Sequence, residues 1–151
     1  MSVYFLEAIA LLNKQEKAYA AAIIEFSMID ALAKYSTKKG VEKRIIKILK
    51  DDFAVTEEGL AERVCDEFRN GLLHENHIKN KGQLSYTAFP NIAFIIEKDC
   101  VIVNPKQLET ELNTVFQSFI ETLRKDEAAY NLFHERMTED FADEIAFFKS
   151  L

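Results

Sequence analysis

The stretch TEEGLAERVCDEFRNGLLHE, Thr56 to Glu75, carries Leu60, Val64, Phe68 and Leu72, each four residues after the last. Residues four apart stack on one face of a helix, so this spacing predicts an amphipathic helix with one buried stripe. Thr56 reads as its N-cap, and two glutamates fall in the first turn, where the helix dipole favours negative charge. The far end has a composition that stability alone does not ask for. FRNGLLHENH, Phe68 to His77, gathers Arg69, Asn70 and His74 around Gly71 and holds two of the chain's three histidines.

Upstream, QEKAYAAAIIEFSMIDALAKY (Gln15–Tyr35) is alanine-rich with apolar residues at helical spacing, and STKKG supplies a stop with Gly40 as C-terminal cap. VEKRIIKILK reads as a shorter helix. Downstream of His77 the texture changes. LSYTAF, NIAFIIE and CVIVN are β-branched and aromatic runs that predict two or three short strands, with Lys98 and Asp99 at a tight turn. Asn104 followed by Pro105 is a helix start, and Leu108 through Leu123 make an amphipathic helix. A last helical stretch runs from about Asp126 to Phe148. The expected fold is mainly α: an antiparallel α-helical bundle with a small inserted β-hairpin, formed by residues 1–151 as a single domain.

Four glycines and two prolines in 151 residues, with 48% hydrophobic and 29% charged content, fit long regular elements around a real core. Cys65 and Cys100 lie inside apolar patterns without paired-ligand spacing and read as structural thiols of a reducing compartment. No apolar run approaches the ~20 residues that span a bilayer. The N-terminus lacks the positive n-region of a signal peptide. A cytoplasmic protein without a membrane partner is expected. The net charge of −6 argues against a general nucleic-acid coat, but leaves room for a small, locally basic RNA site.

On an ideal helix Asn70 and His74 are one turn apart, with Arg63 and Glu67 on the same side. Arg69, five residues before His74, points about 140° away. One such helix does not aim both at one atom, whereas two copies across a symmetric dimer would, with Gly71 admitting the partner's backbone. The competing reading is a fraying helix end, where Arg and His complement the C-terminal dipole.

Arg69-Asn70-Gly71-Leu72-Leu73-His74 resembles the Arg-x(4–6)-His signature of the HEPN superfamily, including its frequent polar residue after the arginine. The likeness is sharp over about ten residues and otherwise rests on architecture. It implies a metal-independent endoribonuclease of a toxin or phage-defence system, without cofactor or metal, acting on RNA as a homodimer. RNA supplies its own nucleophile, the ribose 2′-OH. A histidine can move protons on and off the reacting oxygens, and a guanidinium can clamp the phosphate and the charge that builds on it. By resemblance His74 is the acid/base group, Arg69 the phosphate clamp and Asn70 the group that orients His74 or a phosphate oxygen, leaving a cyclic 2′,3′-phosphate. An antitoxin or defence-system protein would be a further partner. Some members carry a tyrosine two residues after the histidine, a target for a nucleotidyltransferase; this chain has Asn76 there. The alternative within the resemblance is a non-catalytic dimeric module that binds a protein partner or nucleotide.

His77, Lys79 and Lys81 flank the motif and are candidate phosphate ligands, or members of an ordinary polar loop. Lys39, Lys43, Lys47 and Lys50, with Arg44, put positive charge on one helix face, more commonly solvated than RNA-guiding. His134 reads as structural or surface.

Overall fold

The computed structural model describes residues 2–150; Met1 and Leu151, the two ends of the expected domain, lie outside the described residues. The protein is mainly helical, a bundle with a small three-stranded sheet. Helices α1 (Ser2–Lys14), α2 (Ala18–Ser36) and α3 (Val41–Asp51) are followed by α4 (Leu60–Val64), which runs on without a break into a π-helical segment, Cys65–Glu75. Strands β1 (Gln83–Leu84), β2 (Phe94–Glu97) and β3 (Cys100–Val103) come next, then α5 (Pro105–Lys125), α6 (Glu127–Asp140) and α7 (Ala142–Lys149).

Helix α2 is the axis of the bundle, packed against α1, α3, α5, α6 and the π-helical segment. Its alanines let neighbours close in, while Phe26 and Ile29 are fully buried. The stripe Leu60, Val64, Phe68 and Leu72 is buried throughout, as its spacing requires. Phe26 stacks on Phe68 at 5.8 Å between ring centroids and meets Phe94 of β2 edge-on at 6.5 Å. This aromatic contact fixes the motif-bearing helix against α2 and the sheet.

β2 and β3 form the expected antiparallel hairpin, and β1 adds to β3 in parallel. Lys98 and Asp99 both have positive φ, the conformation that a tight two-residue hairpin turn demands. Asn104 caps α5: its side-chain oxygen accepts from the Lys106 and Gln107 backbone N–H groups, with Pro105 at the first helical position.

Several expected boundaries move. Thr56 is no N-cap, because residues 57–59 form a turn and Gly59, with φ 75°, precedes the helix. Gly40 does not end α2; Thr37 does, in extended backbone, and Gly40 instead precedes α3. LSYTAF contributes only Leu84 to a strand, since Ser85 turns the chain by accepting from the Ala88 N–H. The C-terminal helix is interrupted at Phe141.

Candidate functional site

From Val64 onward the helix widens from i→i+4 to i→i+5 hydrogen bonding, which lowers the rotation per residue and brings residues five apart much nearer to the same side. This corrects the expectation that Arg69 and His74 diverge by about 140°. Arg69 Nη1 and His74 Nε2 are 2.9 Å apart within one chain. Two copies are not needed to bring them together.

Arg69 is held on every side the motif offers. Its Nη1 also donates to the Asn70 side-chain oxygen at 2.9 Å, and its Nη2 to Asp30 Oδ2 of α2 at 2.8 Å. Only 7% of Arg69 is exposed, and its Nε is buried without a partner in the structure. Asp30 also takes Arg44 Nη2 of α3, at 3.3 Å. The guanidinium is therefore a fixed group, seated from beneath by Asp30 and presented beside His74, which is exposed. Asn70 binds the arginine; no bond joins it to His74.

The end of the helix folds back on itself. The His77 N–H donates to the Gly71 carbonyl at 3.1 Å, and the Lys79 N–H to the Glu67 carbonyl at 2.9 Å. A Cβ on Gly71 would sit 2.4 Å from the His77 carbonyl oxygen. The space that Gly71 leaves is thus taken by this chain's own returning loop, not kept for another subunit's backbone. Tyr19 at the start of α2 donates to the Asn76 carbonyl and fastens the turn.

The flanking cations do not gather at the Arg69–His74 contact. Lys79 reaches Glu75 at 2.6 Å and Asp66 at 3.3 Å, and the Glu75 bond holds its amine above the usual lysine range. Lys81 pairs with Asp99 at the hairpin turn, 2.8 Å away. His77 is exposed, with Nδ1 3.0 Å from the Glu75 carbonyl. Arg63 and Glu67 form their own pair at 2.6 Å, Glu67 being 2% exposed, and Arg63 turns on to Asp99. On α3, Lys47 pairs with Asp51 and Lys50 with Glu62, so that face is largely neutralised. His134 is exposed beside the Tyr130 ring.

Both thiols are free. Burial pushes Cys65 up to about 11, against the pull of the nearby Arg69 charge. Among the described residues no three His, Cys, Asp or Glu side chains are grouped as metal ligands, and no helix is long and apolar enough to cross a membrane.

Asp30 is the site residue that the sequence reading passed over. Its signal was slight: an Asp amid the apolar residues of α2 loses hydration as the bundle covers it, and a cation partner offsets that cost.

Compared with protein-family models, curated proteins and solved structures, the chain matches none of them.

Proposed function

We propose that the protein is a metal-independent endoribonuclease of the toxin or phage-defence type, in the manner of the HEPN superfamily that its RNGLLH motif resembles. The observation that carries this reading is the 2.9 Å contact of Arg69 with His74, made at an exposed edge by an arginine buried on its other sides. A phosphate oxygen arriving at Arg69 Nη1 replaces His74 as its partner and frees the imidazole lone pair. His74 then takes the proton of the 2′-OH, the 2′ oxygen attacks phosphorus, and the 5′ oxygen leaves with a proton from an imidazolium. The products are a cyclic 2′,3′-phosphate and a 5′-hydroxyl end. Arg69 stabilises the charge on the phosphoryl oxygens as it builds. In a homodimer with a composite cleft, one His74 accepts while that of the second copy donates; this pairing rests on the resemblance, since Arg69 and His74 already meet within one chain.

One observation favours a second reading, a non-catalytic module that binds a protein or nucleotide. Lys79 and Lys81, the expected phosphate ligands, are spent on carboxylates. RNA cleavage by purified protein in excess chelator separates the two. Cleavage that persists there, yields a cyclic phosphate and is lost in both His74→Ala and Arg69→Ala supports the nuclease. Absence of cleavage over a varied RNA panel supports the module. Cleavage indifferent to both substitutions removes the motif from the reaction.

A further inference from the structure

Between α1, α2, α5 and α6 lies a cavity of about 290 Å³ that the motif does not use. Phe5, Met28, Leu32, Phe116, Phe119 and Phe133 supply most of its wall. The pocket is partly open to solvent and its lining is almost wholly apolar, so water inside it gains few hydrogen bonds. Its volume approaches the lower end of the range in which small-molecule sites fall.

The two polar side chains in the wall determine what it can take. Ser27 Oγ donates to the Ile23 carbonyl at 2.7 Å, and the Tyr35 hydroxyl donates to Asp140 Oδ2 at 2.9 Å. A hydroxyl has one proton, so both have spent theirs and keep only oxygen lone pairs to offer. The nearby ammonium of Lys34 is already paired with Asp140. A carboxylate or phosphate inside would find no N–H or O–H to bind and would lose its hydration. A flat apolar body with one donor would find the aromatic wall for its faces and an acceptor for its proton.

We propose that this cavity is a binding site for a small neutral aromatic or aliphatic molecule carrying at most one hydrogen-bond donor, of which indole is the simplest probe. The cavity lies on the α5–α6 side of α2 and shares no residue with the Arg69–His74 contact, so this proposal stands apart from the nuclease reading.

The chain has no tryptophan, so the emission of added indole reports its burial directly. Indole and naphthalene are expected to saturate one site per chain, while octanoate does not displace them. Ala31→Phe, which fills the cavity from its wall, abolishes uptake of both, with circular dichroism confirming the fold. Should that variant not fold, Ser27→Ala combined with Tyr35→Phe carries the test. It removes both acceptors and is expected to weaken indole about threefold to tenfold while leaving naphthalene unchanged. The proposal is overturned by absence of saturable uptake, by octanoate competing as well as indole, or by uptake that survives in folded Ala31→Phe. It is overturned equally if the folded double variant binds indole as tightly as the unsubstituted protein does. Uptake only after Phe147 and Phe148, 60% and 70% exposed, are both replaced by serine would assign the cavity to those rings of another copy and also overturn it.

Discussion

Arg69 Nη1 stands 2.9 Å from His74 Nε2, and an arginine nitrogen can only donate. His74 Nε2 must therefore be the acceptor, which requires a neutral ring with its proton on Nδ1. A protonated ring would set N–H against N–H and one cation against another. In this contact the Nε2 lone pair of His74 is covered by the Arg69 N–H. Nitrogen-15 shifts of His74, recorded at a pH where the ring is neutral, are expected to report the Nδ1–H form. An Nε2–H signal would mean that the two side chains do not bond.

Asp30 seats Arg69 more firmly than it seats Arg44. The Arg69 bond is shorter, 2.8 against 3.3 Å, and the Arg69 side chain is 9% exposed against 14% for Arg44. Removing Asp30 leaves the Arg69 charge without its counterion in a nearly buried place. Asp30→Ala should cost about 1–3 kcal/mol in urea unfolding, the usual range for an orphaned buried polar group. A double-mutant cycle should give a larger coupling for Asp30 with Arg69 than with Arg44. Equal couplings would mean that Asp30 anchors α3 as much as it does the motif.

Gly71→Ala tests the folded-back loop. In an open helix interior this change stabilises by about 0.5–1 kcal/mol. Here the new Cβ falls 2.4 Å from the His77 carbonyl oxygen, which is backbone and cannot swing aside. Overpacking of this kind costs about 1–3 kcal/mol and outweighs the gain in propensity. The denaturation midpoint should fall, and amides of residues 77–79 should exchange faster. A rise in stability would show that the loop does not pack on Gly71.

The parts of the fold legible in sequence were those with a local physical cause. A four-residue apolar repeat became the buried stripe of the motif helix, Asn104-Pro105 became a capped helix start, and the Lys98-Asp99 turn closed a hairpin. What was hidden depended on partners far along the chain. A repeat of buried residues at every fourth position gives no warning that the hydrogen bonds beneath it run to the fifth, so Arg69 and His74 were read as diverging. The motif's residues could be named from their types, yet the seat of Arg69 lies 39 residues upstream on another helix. Lys79 and Lys81 looked free only because their carboxylate partners could not be placed. The parallel pairing of β1 with β3 is likewise set by tertiary packing, not by the run LSYTAF.

The same alanine-rich helix hides a second carboxyl whose effect on stability depends on pH. Glu25 is fully buried, and its Oε1 accepts from the Asn13 side chain of α1 at 3.2 Å while its Oε2 has no partner in the structure. Asn13 also donates to Glu109 of α5 at 2.9 Å and accepts from the Tyr86 hydroxyl at 2.9 Å. Burial raises the Glu25 pKa well above 4.5; the Asn13 bond opposes this and the Glu109 charge adds to it. Between 4.5 and that raised value, the folded chain holds a proton that the unfolded chain has released. Stability from this group is therefore full at acid pH and falls as pH rises, by about 1.4 kcal/mol per pH unit within that window. Glu25→Gln keeps the shape, cannot ionise and has no such slope. Asp52 and Glu111, also raised by burial, titrate alike in both proteins and cancel in the difference. Urea unfolding from pH 5 to 8 should find the variant close to wild type at the acid end and progressively more stable toward pH 8. A constant difference across that range would mean that Glu25 does not change protonation on unfolding.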